Sequence, residues 1–476
     1  MQNIEVIRRC SLLLVLSLCY VTAFGGIRLP GFFSSHMVLQ QQAKVNFWGW
    51  DGANQPVMIV VSWQSDTICL RTDSNGIWSA GVETPVAGGP YQMIVIGVDS
   101  HVELTDVMIG EVLLCSGQSN MAWSSLSNHQ EMLEELPNIQ NSDIRLLNVT
   151  RRASATPQDD FWDSWQVADP RSAVGFSSIG YFAAKRLQDE LKVPVGVINA
   201  SWGGTAAEVW LPQQIVDSDT LLRDLAAMQT ASPDRPHLPG TLWNTMIHPL
   251  AGYPLAAVFW YQGESNVPTW HGYSHLFSEL IRSWRTAWGS EIPFYFVQIA
   301  PFSYRHCGTS CAAFLREQQT KALSVAKTGM VVTTDLVSDI KDIHPEKKVA
   351  VANRLADLAL GEIYGVLEGD YKSPVYDRSV IQGDKVIVSF KNVSRGLLIK
   401  GDTLNHIYIA GHDRQFYRAD AKVEGNTLIV SAGEVRTPVA VRFGFTDVAM
   451  PNLFSTTGLP VSPFRTDDWP GETDSR

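Results

Sequence analysis

The sequence is poor in cysteine, with six in 476 residues, and has no surplus of basic side chains: 37 Lys and Arg stand against 48 Asp and Glu, a net charge of −11. Such a balance offers no broad surface to a nucleic-acid backbone or an anionic membrane. After the N-terminus no run approaches the ~20 apolar residues that a membrane-spanning helix needs. There is no internal repeat and no low-complexity tract, only a polar tail after Pro470. Metal-ligand spacing is also missing. HCGTSC places only His306 beside Cys307 and Cys311, so neither a metal nor another cofactor is expected. What remains is ordinary globular material, 45% hydrophobic and 18% charged, in a chain long enough for two or three domains. Fifteen tryptophans are many, and those in FWDSW and VPTWHGY sit in polar company. Exposed tryptophans can stack on sugar rings, although core packing is their commoner use.

The first residues carry Arg8 and Arg9, an uncharged apolar run, and then Val21-Thr22-Ala23. This is the layout of a secretory signal, residues 1–23, and places the chain in the secretory pathway, lysosomal or extracellular. Cys10 and Cys19 leave with that segment. A disulfide between Cys307 and Cys311 suits such a compartment. Cys115 reads as a small buried hydrophobe. Asn148, Asn199 and Asn392 open N-x-S/T sequons, with Asn199 the least accessible because a strand runs into a glycine loop there.

Residues 24–105 hold short alternating runs (KVNFWGW, PVMIVVSW, QMIVIGV) between turn clusters such as DSNG and AGGP, the pattern of an antiparallel β domain. In 106–370, β-branched runs at 111–116, 195–199, 256–261, 294–300 and 330–334 alternate with helical patterns, clearest in IGYFAAKRLQDEL and KKVAVANRLADLALGEIYG. Strand–helix alternation implies an α/β fold, a parallel sheet covered by helices on both faces. From 371 to 476 short strands return, reading as a second β module and the polar tail.

Ligands of an open parallel sheet bind beyond the carboxyl ends of its strands, so the residues after each strand matter most. They are GQSNM, ASWGGT, QGESN, and a longer loop ending in KDIHPEKK. A serine hydroxyl needs a base, imidazole titrates in the useful range, and a neighbouring carboxylate fixes its tautomer. Ser119, His344 and Asp342 supply that set. The oxyanion of acyl transfer needs donors, for which the Ser119 N–H, Gly203 or Gly204 and the Gln262 amide are candidates. Asp342 and His344 are two apart before Pro345. An extended D-I-H segment would put both on one face and turn Ile343 into the core. Asp339 and Asp335 lie on the same loop. Asn244, His248 and Glu264 are candidate substrate contacts, though Asn244 and His248 could equally hold a loop to the sheet.

GQSN, WGGT, WYQGESN and DIHP, with LWNTMIHPL and HMVLQ, resemble the blocks of the sialate O-acetylesterase family within the SGNH-hydrolase superfamily. The likeness runs from about residue 27 to 460. It implies a flavodoxin-like three-layer α/β/α SGNH hydrolase domain with flanking antiparallel β modules. It also implies removal of O-acetyl groups from sialic acids or sialoglycans, with Ser119 as nucleophile, His344 as base and Asp342 as acid. The spacing departs from the superfamily's usual D-x-x-H, since Lys341 stands where that acid would be. The alternatives are an esterase for other acetylated carbohydrates such as xylan, or a non-catalytic glycan-binding protein on the same fold. A sialic acid carboxylate calls for a nearby cation, and Arg171, Arg305 and Arg316 are available. Oligomeric state is not legible.

Overall fold

The computed structural model describes residues 26–304 and 308–470. The expected signal segment, Arg305, His306 and Cys307 lie outside the described residues. The described chain forms two compact units. The first is built from Phe47–Gly81 and Gln92–Glu103 with the chain up to Leu29. In Pro56–Val61, Val57, Ile59 and Val61 are buried while Pro56, Met58 and Val60 face outward, the period of two expected of a strand. This strand pairs antiparallel with Ile68–Arg71, and on its other side with Gln92–Ile96 through Met58↔Ile96 and Val61↔Met93. The unit is discontinuous in sequence. Pro30–Asn46 and Val82–Tyr91, which the sequence reading counted within 24–105, pack with the second unit.

The second unit carries a parallel sheet of six strands: β1 (His101–Gly117, in this unit from Leu104 on), β2 (Asn141–Asn148), β3 (Val195–Ser201), β4 (Ala257–Tyr261), β5 (Phe294–Val297) and β6 (Thr328–Val331). Their order is β6-β5-β4-β1-β3-β2. With β2 set aside as an extra edge strand, the order is the flavodoxin-like 2-1-3-4-5. The unit's helices include α1 (Ser119–Ala122), α2 (Ser178–Leu191), α3 (Tyr273–Trp288), α4 (Cys311–Lys321) and α5 (Lys348–Glu362). Strand residues alternate between two cores. Leu113, Cys115, Val197, Phe259 and Val297 pack with α2 and α5 through Ala183, Leu187, Leu355 and Ala359. On the opposite face Trp260 packs on Phe277 and Trp284 of α3 at 6.1 and 5.8 Å between ring centroids. The two helical segments expected from periodicity are thus α2 and α5. Helix α2 begins where the Ser177 hydroxyl accepts the Gly180 N–H.

Residues from Val375 onward form antiparallel sheets around a separate apolar core that includes Val388, Ile409, Leu428 and Phe443. This module is joined to α4 by Arg465, which pairs with Glu317 at 2.9 Å, and by Asp447 Oδ1, which accepts the Ala312 N–H at 2.7 Å.

Candidate active site

Three strands end at one level. Ser201 of β3 and Tyr261 of β4 are both register partners of Gly117, the last residue of β1. The Gln118 N–H donates to Tyr261 O, and the Trp202 N–H to Gly117 O, each at 3.0 Å. Gly117 has φ +129°, and a Cβ there would stand 2.2 Å from Tyr261 O, so only glycine lets the chain turn so close to β4. The turn delivers Ser119 to the first position of α1. A Cβ on Gly203 would lie 3.3 Å from Ser119 Cβ, so the loop after β3 runs directly beside the serine. The backbone N–H groups of Ser119, Gly203 and Gly204 donate to no backbone carbonyl among the described residues. Together they line a cleft of about 930 Å³ with Gln118, Arg235 and His344, a volume suited to a small ligand.

His344 reaches Ser119 from the loop before α5, with Nε2 2.9 Å from the serine Oγ. Its ring stacks on Trp123 at 3.9 Å between centroids and 18° between planes. Burial pushes the imidazole down to about 4, the Lys348 cation adds to this, and Asp342 opposes it. At neutral pH His344 is therefore uncharged and able to accept a proton. Beneath the pair lies a buried polar chain. Lys348 Nζ donates to Asn120 Oδ1 at 2.5 Å, and Asn120 Nδ2 donates to Glu264 Oε1 at 2.6 Å and to the Ile343 carbonyl at 3.1 Å. Asn120 follows the serine and Ile343 precedes the histidine, so one side chain ties the two loops together. Burial holds Lys348 down at about 7 and pushes the Glu264 carboxyl up.

The family described as "Carbohydrate esterase, sialic acid-specific acetylesterase" matches residues 110–361, more than half of the chain and all four of these loops. The chain belongs to that family. The esterase is 27% identical to the sialate O-acetylesterase of Mus musculus over 429 residues, 76% of this chain and 78% of that protein. With the Homo sapiens sialate O-acetylesterase it shares 26% over 495 residues, 94% of each. The crystal structure of a carbohydrate acetylesterase from Xanthomonas citri is similar to it at 33% identity and a TM-score of 0.85, covering 93% of this chain and 100% of that one. Like the family, this chain is a carboxylic ester hydrolase.

The esterase does not bring every expected residue to the cleft. Gln262 is fully buried and its amide is spent. Nε2 donates to Asn266 Oδ1 and Thr205 O at 2.7 and 3.2 Å, and Oε1 accepts from Tyr273 at 2.8 Å. Gln262 thus braces two loops and has no donor left for an oxyanion. Asn244 donates to Ser154 O and His248 bonds Gln158 O, each at 3.0 Å, and neither lines the cleft. They hold a loop, the other of the two uses their positions allowed. Glu264 does reach the cleft wall.

The D-I-H segment is bent rather than extended. Asp342 Oδ1 accepts the His344 backbone N–H at 2.8 Å and stands 3.9 Å from Nδ1, too far for a hydrogen bond. An aspartate bonding the amide two residues on is a local turn. It half-exposes the carboxylate and leaves Ile343 on the cleft wall instead of in the core. Asp339 is occupied by the Lys341 N–H, and Asp335 by Arg354 at 2.6 Å. Arg171 is exposed away from the cleft, and Arg316 is buried, donating to Thr446 O. Asn199 is 5% exposed with its amide on Asn148 Oδ1, whereas Asn148 and Asn392 are exposed. Cys311 is disulfide-bonded, and its expected partner Cys307 lies outside the described residues. Among the described residues no group of three or more His, Cys, Asp or Glu could hold a metal ion. Sequence reasoning passed over Trp123, Asn120, Lys348 and Arg235. Of these, Asn120 and Lys348 sat in blocks already singled out, GQSNM and KDIHPEKK, but neither was given a role.

Proposed function

We propose that this esterase removes O-acetyl groups from sialic acids, free or in sialoglycans, with Ser119 as nucleophile and His344 as general base. The observation that carries the reading is the 2.9 Å contact between Ser119 Oγ and His344 Nε2 at the wall of the cleft. Ser119 Oγ bonds to the acetyl carbon as its proton passes to His344 Nε2. The backbone N–H groups of Ser119, Gly203 and Gly204 supply donors to the oxyanion in place of Gln262. Collapse of the intermediate breaks the bond to the sugar oxygen, which takes the proton from His344. Water then attacks the acetyl-serine carbonyl and gives a proton to His344, which returns it to Ser119 Oγ as acetate leaves. Asp342 shapes the turn that carries the histidine and favours the imidazolium through space.

The sialate O-acetylesterases among its relatives support the sugar, and the Xanthomonas citri carbohydrate acetylesterase supports the second reading, another acetylated carbohydrate. The N-terminal signal pattern supports a secretory, lysosomal or extracellular setting, with Asn148 and Asn392 as the accessible glycan acceptors. No helix among the described residues is long and apolar enough to cross a membrane.

Ser119→Ala should lower kcat on an acetyl ester by roughly 10³-fold or more with thermal unfolding unchanged. A variant near wild-type rate would overturn the mechanism. A panel of O-acetylated sialic acids and acetylated xylan oligosaccharides separates the two substrate readings by kcat/KM.

A further inference from the structure

The cleft contains a cation that the acyl-transfer chemistry leaves unused. Ser232 and Arg235 close a tight turn around Pro233 and Asp234 through an antiparallel bridge, and the turn lays the Arg235 side chain over Gly204. A Cβ on Gly204 would lie 2.5 Å from Arg235 Nη1 and 3.4 Å from Cζ, so the guanidinium rests on bare backbone. The neighbouring Gly203 is the residue against Ser119 Cβ. Consecutive Cα atoms are about 3.8 Å apart, which places the guanidinium within about 13 Å of the serine. Arg235 is the only Arg or Lys among the described residues lining the cleft. It is exposed, and no carboxylate among the described residues forms an ion pair with it. The other charged or titratable side chains of the wall are Asp234, His237, Glu264, Tyr304 and His344.

We propose that Arg235 is an anion subsite that reads the carboxylate of an acetylated acidic sugar while the acetyl group lies at Ser119. The proposal rests on the reading of Ser119 and His344 given above. A guanidinium fork matches a carboxylate bidentately, and its fixed plane gives orientation as well as charge. Because Arg235 has no carboxylate partner to give up, the substrate anion displaces only water. A net charge of −11 repels an anionic substrate at long range, and a local cation is what overcomes that at the site. Gly204 contributes by lacking a side chain, since any Cβ there would push the guanidinium away from the path to Ser119.

The test compares one O-acetylated sialic acid with its carboxyl methyl ester, which keeps the acetyl group and loses the charge. The readout is the ratio of their kcat/KM values in wild type, Arg235→Gln and Arg235→Lys. Wild type should favour the free acid by on the order of tenfold or more. Arg235→Gln should bring the ratio close to one, and Arg235→Lys should fall between, because an ammonium keeps the charge but not the fork. A wild-type ratio near one, or an unchanged ratio in Arg235→Gln, overturns the proposal. So does a wild-type enzyme that cleaves 4-nitrophenyl acetate but neither sugar. If 4-nitrophenyl acetate is also untouched, the Ser119 mechanism fails first and the subsite falls with it.

Discussion

Asp342 accepts the His344 N–H at 2.8 Å while standing 3.9 Å from the imidazole Nδ1, and these distances set what each substitution at this residue should do. Asparagine keeps an oxygen for the turn and loses only the charge, so Asp342→Asn should lower kcat by about tenfold, the scale of a partly screened charge a few ångströms away. Alanine loses the turn as well and should cost on the order of 100-fold, since a misplaced base forfeits alignment. Both are checked by kcat on a chromogenic acetyl ester. A loss of 10³-fold or more in Asp342→Asn would mean that the carboxylate closes onto Nδ1 during turnover. That Ser119, His344, Gly203 and Gly204 meet at one cleft was legible at this scale, because each stands on a loop that follows a strand of the parallel sheet. The failed role of Gln262 was not. Its donors are consumed by Asn266 and Thr205, and nothing in WYQGESN says which way the amide turns.

Among the elements, α5 opens on Lys348, a cation at the helix end whose dipole is already positive. Full burial and the dipole both disfavour the charge, and Asn120 Oδ1 together with the Glu264 carboxylate beyond it offsets that cost. Lys348 titrates near 7, so it is charged across the acid range in which His344 would take up a proton. The sign follows directly: a like charge disfavours the imidazolium, the histidine stays neutral down to about pH 4, and activity survives well below the ordinary histidine value. The acid limb of the kcat/KM profile should therefore fall near pH 4. Lys348→Met should move it upward by on the order of one unit. An acid limb that stays in place would show that burial alone sets the base. The helices themselves were readable from their apolar spacing. The Lys348–Asn120–Glu264 chain was not, because it joins three elements whose order in sequence says nothing of their distance.

In the molecule as a whole, the C-terminal β module is more than an appendage. Asp447 accepts the Ala312 N–H at 2.7 Å through its side chain, and its carbonyl accepts the Phe302 N–H at 3.1 Å, so it clamps the chain on both sides of the loop that carries Tyr304 to the cleft. Gln298 Nε2 bonds Ser462 Oγ at 3.1 Å, and Arg465 pairs with Glu317. Asp447→Ala would leave a buried helix-end N–H unsatisfied, a loss of about 1–3 kcal/mol. That should lower Tm by several degrees in thermal unfolding. An unchanged Tm would show that the Asp447 clamp contributes nothing to stability.

The sequence by itself determined the class of fold and which loops face one another. Strand and helix periods are local, and the carboxyl ends of parallel strands must share one edge wherever the strands stand in the sheet. It determined that a serine and a histidine lie on such loops. Only the tertiary structure decided which partners their neighbours meet. Asp342 folds back on a backbone amide, Gln262 turns away into a buried network, and Arg235 arrives over Gly204 from a turn with no motif. These outcomes depend on strand register and on competition among many nearby hydrogen-bond partners, and neither is written in the spacing of a few residues.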